Sequence, residues 1–207
     1  MRKSGSGGVR PVGPDAADAD ALETHLKALL AAGDVKRAAT ETIRAYGPEL
    51  LRYLRGLLGS EADARAAFAG ASERLWRGLT EFRFECSLRT WSFRLAWSAA
   101  ADLRKEAWNA RGRRLETSEA EALAVDPKTR SWLREERLRL SLGQLRLALT
   151  LEEQSLLQLR IDQGLSWAEC AEVLALEGRP PRVDALMKRF ERIKAKLGAL
   201  ARGADEA

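Results

Sequence analysis

Leucines return every three or four residues in several separate stretches of this chain, which is the spacing of a helix with one buried face. The first such stretch covers about 20–32, with Leu22, Leu26, Leu29 and Leu30 in register and Gly33 as the stop. A second pattern starts near Asp34, and Gly47-Pro48 is expected to break it. Leu50, Leu51, Leu54, Leu57 and Leu58 then form an amphipathic stripe closed by Gly59, with Arg52 and Arg55 facing out. Ser60 with Asp63 resembles a helix start ahead of Phe68, Leu75, Trp76 and Leu79.

From Phe82 to Arg114 the pattern predicts one long helix with two apolar faces. Leu88, Trp91, Leu95, Ala99 and Leu103 fall on one stripe, assigned to the core, and Phe93, Trp97, Arg104 and Trp108 fall nearly opposite. A helix apolar on both sides can simply be buried twice. The alternative comes from the basic residues mixed in: Arg83, Arg89, Arg94, Arg104 and Lys105. Unpaired bases stack on aromatic rings while Arg and Lys follow the phosphates, so this mixture suits a melted DNA strand or RNA.

Between Arg104 and Arg114 five positive side chains stand against Glu106, and Glu116, Glu119, Glu121 and Asp126 then follow without a cation among them. That change of sign, without apolar periodicity, marks a linker over about 110–129. Helical spacing resumes at Leu138, Leu142, Leu145 and Leu149. Thr150 with Glu153, and Ser166 with Glu169, make two capping boxes. The second opens a short helix through Ala171, Val173 and Leu174. After Gly178 and Pro180-Pro181, Asp184 is placed to cap a final helix with Leu186, Phe190, Ile193 and Leu197 inward. Its other face carries Lys188, Arg189, Arg192, Lys194 and Lys196. From Arg179 to Arg202 eight positive side chains stand against Asp184 and Glu191. A short helix, a turn and a basic helix outline a helix-turn-helix, whose second helix enters the major groove.

Composition adds exclusions. The first 19 residues have almost no large apolar side chain and are expected to form a disordered arm. Cys86 and Cys170 belong to no Cys-x-x-Cys pair and His25 is the only histidine, so no ordinary zinc finger can form and no cofactor is expected. No apolar run approaches the roughly 20 residues that cross a bilayer, which points to a soluble, cytoplasmic protein with no membrane partner. No Gly-rich phosphate loop, His-based dyad or carboxylate cluster supports catalysis, so the chain is expected not to be an enzyme.

These readings converge on an all-α protein of two small helical domains, a helical bundle and a helix-turn-helix, joined by a flexible linker. At this point the chain resembles the bacterial RNA polymerase sigma factors of the extracytoplasmic-function class. Phe82-Arg83, Ser87-Leu88-Arg89-Thr90-Trp91, Arg94-Leu95-Ala96 and Asp102 resemble the family's segment for promoter melting and minus-ten recognition. Leu149 through Glu153, Gly164-Leu165-Ser166-Trp167-Ala168-Glu169 and Ala171-Glu172-Val173-Leu174 are similar to its domain for the minus-thirty-five element. The resemblance implies an N-terminal arm over 1–19, a region 2-like domain over 20–109, a linker over 110–129 and a region 4-like domain over 130–202.

It further implies a factor that binds core RNA polymerase, recognises promoter DNA and promotes strand opening; members of this class are often held by an anti-sigma factor. Contact with the melted strand is carried over to Arg83, Ser87, Arg94, Trp97, Ser98 and Arg104. Major-groove or phosphate contact is carried over to Lys188, Arg189 and Arg192, and backbone contact to a phosphate to the helix start at Ser166. Three features depart from the family pattern. Arg65, Ala66 and Ala69 stand where an acidic pair and a glutamine are usual on the polymerase-binding helix, Ser98 replaces a frequent asparagine, and the turn before Asp184 is longer. The alternative reading is therefore a helix-turn-helix DNA-binding regulator of the same fold without productive polymerase engagement. A third is a helical interaction module whose basic faces are only solvated surface.

Overall fold

A computed structural model of the chain describes residues 16–114, 148–175 and 179–205, with side chains described over 19–107, 148–175 and 179–200. The expected linker beyond Arg114, the leucines at 138, 142 and 145, the ring of Trp108 and Gly178 lie outside the described residues. The architecture is all-α, with seven α-helices and one 3-10 turn among the described residues. The first four helices are α1 (Ala16–Ala31), α2 (Val35–Leu58), α3 (Glu61–Gly78) and α4 (Leu88–Arg114), with the 3-10 turn at Leu79–Glu81 between α3 and α4. The remaining three are α5 (Leu151–Ile161), α6 (Trp167–Val173) and α7 (Val183–Asp205).

Local chemistry sets most boundaries. Asp34 caps α2 by accepting from the Arg37 N–H, and Gly59 ends it in the left-handed region at φ 71°, where its N–H reaches the Arg55 carbonyl. Ser60 caps α3 through the Asp63 N–H. Both expected capping boxes are present, Thr150 with Glu153 and Ser166 with Glu169. Two expectations are corrected. α1 begins at Ala16, inside the stretch read as a disordered arm, and α2 runs unbroken through Gly47-Pro48. Proline in a helix interior removes one hydrogen bond, but buried side chains on both sides of it, Ala39, Thr42 and Tyr46 before and Leu50, Tyr53 and Leu54 after, pack the helix into the bundle, and that packing keeps it continuous.

α2, α3 and α4 form the main core. α3 contributes mostly small side chains, Ala64, Ala67 and Ala71 with Leu75, which lets its neighbours approach closely. Tyr46, Tyr53, Leu54, Leu57 and Leu88 fill the space between. The last three helices pack around Leu156, Leu159, Leu165, Val173, Leu186 and Ile193. Trp167 stacks edge-on against Phe190, with ring centres 5.4 Å apart and Arg160 on its other side at 4.9 Å. Cys170 is buried in this group, which pushes its thiol up to about 11, and both cysteines are free. These three helices do not stand apart: α6 lies against α4 and α5 against α2. No described helix is long and apolar enough to cross a membrane.

Candidate nucleic-acid interface

Everything at the start of α4 is held in place. Four N–H groups at a helix start have no intrahelical acceptor, and here three of them are satisfied from outside the ladder: Glu23 of α1 accepts from the Leu88 and Arg89 N–H groups at 3.0 and 3.1 Å, and the Ser87 hydroxyl accepts from Thr90, after which Trp91 makes the first ladder bond to the Ser87 carbonyl. Glu23 also accepts from the Tyr46 hydroxyl at 3.0 Å, so one carboxylate ties α1, α2 and α4 together. The loop before α4 is folded on itself by rings: Phe82 lies 4.8 Å from both Phe84 and Trp91. Phe84 sits at φ 58°, a conformation that costs a non-glycine residue roughly 1–2 kcal/mol and that this ring packing offsets. The result presents Arg83 to solvent.

Beyond this start, the sequence expectation for the two faces of α4 needs correction. Phe93 is fully buried and Trp97 is 5% exposed, while Trp91, Leu95 and Leu103 of the assigned core stripe are only partly buried. The reason is that α4 packs against α2 and α3 and also against α6. Thr90, Phe93 and Trp97 share a face by their spacing, and the Thr90 hydroxyl donates to Glu169 of α6 at 3.1 Å. Phe93 meets Tyr53 edge-on at 5.4 Å, and the Tyr53 hydroxyl pairs with Ser155 of α5 at 2.6 Å. The indole N–H of Trp97 is buried and has no hydrogen-bond partner among the described residues.

Arg89 is the centre of this junction. Its guanidinium makes two bonds to the buried Glu49 carboxylate, at 2.8 and 3.1 Å, and a third to the Gln163 carbonyl at 3.0 Å, while its plane lies over the Phe93 ring. Gly56 permits the close approach of α5 to α2, because a Cβ there would collide with the Gln158 amide. That amide, suitably oriented, bonds the Tyr53 carbonyl and the Leu57 N–H. Glu169 has opposing influences: burial raises its carboxyl, but hydrogen bonds from Ser166 and Thr90 and the nearby Arg89 charge outweigh that and hold it below its ordinary value.

The other candidate residues are distributed as follows. Arg94 and Ser98 are half-buried, and the Ser98 hydroxyl accepts from Arg74 of α3 at 2.7 Å, which also pairs with Asp102 at 2.6 Å. Arg83 and Arg104 are exposed at opposite ends of this surface. On α7, Lys188 and Arg192 are exposed one turn apart, whereas Arg189 is paired with Glu152 of α5. Ser166 is occupied by its own capping box, its N–H donating to Glu169 at 2.8 Å and its hydroxyl accepting from the Glu169 N–H. Sequence reasoning missed Glu23, Glu49, Ser155 and Gln163. Each acts on a partner 40 or more residues away, so no local spacing could reveal it.

Chemically, two surfaces could meet nucleic acid. One is the amino-terminal half of α4 with its preceding loop, aromatic and basic but largely covered. The other is the outer face of α7, basic and open. Comparison with known proteins bears on both. Residues 42–110, spanning most of α2 through most of α4, match the family model of Sigma-70 region 2. Among solved structures the chain is similar to CnrH in complex with the cytosolic domain of CnrY, with a TM-score of 0.60 and 23% identity over 88% of this chain and 98% of that one. It is also similar to the sigma factor RpoE in complex with the anti-sigma factor NepR from Bartonella quintana, with a TM-score of 0.54 and 17% identity over 82% of this chain and 97% of that one. No curated protein matches the sequence. Residues 42–110 are thus similar to Sigma-70 region 2, and the chain shares the all-α fold of CnrH and of the sigma factor RpoE.

Proposed function

We propose that this chain is a transcription initiation factor that binds core RNA polymerase, recognises promoter DNA and promotes strand opening, with no enzymatic step of its own. The observation that carries the reading is the pairing of a stretch similar to Sigma-70 region 2, with its aromatic and basic α4, with a second unit whose outer helix exposes Lys188 and Arg192. α7 would dock in the major groove of the upstream promoter element, its cations following the phosphates. Arg83, Arg94, Trp97 and Arg104 would engage the melted strand, with Ser87 and Ser98 near the same track. Because Thr90, on the same face of α4 as Phe93 and Trp97, is bonded to α6 in this arrangement, strand capture would have the last three helices move off α4. Both solved relatives hold a second protein, which supports an inhibitory partner here that keeps the two units together.

The direct test is reconstituted transcription. Added to core polymerase on genomic template, the chain should direct promoter-specific transcripts, and their complete absence would reject the reading. One observation favours a second reading. The α3 face carries Arg65, 71% exposed and paired with Glu61, with Ala66 and Ala69 beside it, where an acidic polymerase-binding surface was expected. A DNA-binding regulator of this fold without polymerase engagement would fit that face. Recovery of core polymerase subunits with the chain at physiological salt would eliminate it.

A further inference from the structure

Arg74 reaches across from α3 to α4, whereas Arg65 and Arg77 pair with acids one turn away on α3 itself. One of its terminal nitrogens donates to the Ser98 hydroxyl oxygen at 2.7 Å and the other to the Asp102 carboxylate at 2.6 Å. The two bonds change what each partner can offer. A serine oxygen accepts up to two hydrogen bonds, and its single proton goes to one acceptor. Ser72 and Ser92 give that proton to the carbonyl one turn back in their own helix. Ser98 gives its proton to no acceptor among the described residues, while its oxygen is engaged by a charge-assisted bond from Arg74. Asp102, one turn further on, has its charge countered by the same guanidinium.

The neighbouring side chains extend this pattern. By the helical advance of about 100° per residue, Arg94, Ser98 and Lys105 fall within a sector of about 40° on α4. Phe93 and Trp97 immediately precede two of them and so lie on the adjoining side, roughly 100° round. Arg94 is half-buried and Lys105 exposed, and neither is in an ion pair among the described residues. The stripe therefore offers donors: two cations, a serine proton and, behind it, the Arg74 guanidinium. A phosphate oxygen only accepts. Every base carries at least one N–H donor on its pairing edge, and that donor has no free acceptor opposite it in this stripe. A carboxylate also only accepts, but the aromatic side alongside, Phe93 and Trp97, suits stacked bases joined by phosphates.

We infer that Arg74 is a positioning residue for an unpaired strand: it holds Ser98 as a hydrogen-bond donor to a backbone phosphate lying between Arg94 and Lys105, and it keeps Asp102 from repelling that phosphate. Ser98 then meets the strand without discriminating among bases. The inference rests on the proposed function, since it needs a strand on α4. It adds which atoms of the strand meet Ser98 and what orients the hydroxyl toward them.

The test measures binding of the full chain to single-stranded DNA of roughly 12 nucleotides, in which one linkage at a time is replaced by an uncharged methylphosphonate. With the wild-type chain, one linkage should stand out as weakening binding about tenfold. Ser98→Ala should weaken binding by a similar factor, equally for strands of different base composition, and that linkage should no longer stand out. Ser98→Thr, which keeps the hydroxyl, should behave as wild type. Arg74→Ala should lose the same linkage, and adding Asp102→Asn should recover part of the affinity, which a merely structural bridge between α3 and α4 would not do. A wild-type chain that binds no single strand would overturn the proposed function and this inference together. Strand binding by the wild type, with the linkage pattern intact in Ser98→Ala or in Arg74→Ala, would overturn this inference alone. So would a loss in Ser98→Ala that differs more than about tenfold between bases, since Ser98 would then read a base edge. A polyglutamate peptide bound more tightly than the strand and released by Ser98→Ala would also overturn it, by assigning the stripe to an acidic protein.

Discussion

The amino-terminal half of α4 and the outer face of α7 carry similar chemistry and are treated in opposite ways. α7 exposes Lys188 and Arg192 to solvent, while Arg189 is paired with Glu152, Lys194 with Glu191 and Lys196 with Glu153. α4 has its aromatics under cover, its Arg89 clamped by Glu49 and the Gln163 carbonyl, and its Thr90 bonded to Glu169. The difference teaches that the two surfaces cannot act under the same condition. On the proposed function a duplex contact through α7 would be available as the molecule stands, whereas a strand contact through α4 would first break the polar links to α6 and to the turn after α5. Those links are few: the bonds made by Arg89 and Glu169 are charged and contribute about 1.5–3 kcal/mol each, and the neutral bond of Tyr53 to Ser155 about 0.5–1.5 kcal/mol.

The largest expected effect tests the burial itself. Trp97→Ala removes a ring that is 5% exposed and should lower global stability by about 3–5 kcal/mol, the usual range for large buried aromatics. Chemical denaturation measures it, and a loss below 1 kcal/mol would mean that Trp97 is on the surface. In reconstituted initiation the same variant should reduce open-complex formation more than duplex binding; equal losses would remove it from strand capture. Arg89→Ala comes next. It strands a Glu49 side chain that is 6% exposed, and breaking a buried pair from one side costs about 3 kcal/mol. Arg89→Lys should recover only part, because a single ammonium cannot make the two parallel bonds to Glu49 and also reach Gln163.

A smaller and more selective change loosens the junction without touching the core. Gly56→Leu improves the helical propensity of α2 by roughly 1 kcal/mol but places a side chain where the Gln158 amide now lies. An interface penalty of about 1.4 kcal/mol shifts the closed and open populations tenfold. The expected outcome is a larger radius of gyration by small-angle scattering and tighter binding of single-stranded DNA, with duplex affinity unchanged. A wider molecule with no gain for single strands would show that α4 is not a strand-binding surface.

How much of this was legible in the sequence differs between the same two regions. Around α7, the capping boxes of the two helices before it and the outward cations could be read from spacing, because they are local features, but Asp184, expected as the cap, lies inside a helix that starts at Val183. For α4, the period correctly placed Leu88 and Ala99 in the core but wrongly turned Phe93 and Trp97 outward. Periodicity reports that a face is apolar and not what covers it; here Phe93 meets Tyr53 of α2, and Thr90 on the same face is bonded to α6, about 70 residues further along the chain. The continuity of α2 through Pro48 was hidden for a related reason: a local helix breaker was outweighed by packing on both flanks, which a single sequence does not display. Glu23 had no signal at all, since a lone acid on α1 gives no hint that it caps α4.

On the open side of the comparison the effects are modest and of a different kind. Lys188→Ala and Arg192→Ala should each weaken duplex binding about evenly across sequences and reduce the salt slope by roughly one, as loss of a phosphate contact does. Arg189→Ala should weaken binding of the upstream element by roughly 1–3 kcal/mol only if Arg189 leaves Glu152 to read a base edge. An unchanged footprint would assign Arg189 to holding α7 on α5.

The smallest effect returns to the covered side and follows from the sign of one titration. Glu169 links α6 to Thr90 and has a folded pKa below its ordinary value of about 4.5. A carboxylate shifted in that direction contributes its stabilisation fully above the unfolded value and loses it as pH falls through the folded one. Acidification below about pH 4.5 should therefore weaken the contact between α4 and α6. Glu23 and Glu49 also accept hydrogen bonds near the start of α4, so the wild-type titration alone does not isolate Glu169. Glu169→Gln does: it keeps the shape, removes the charge, and should cost no more than about 1 kcal/mol at neutral pH. Subtracting its pH profile of junction opening, followed by the fluorine resonance of labelled Trp97, from that of the wild type leaves the Glu169 component. A difference that is flat across the acid range would place the pH sensitivity of the junction elsewhere, and Thr90 would then be a contact that α4 can lose without releasing Phe93 and Trp97.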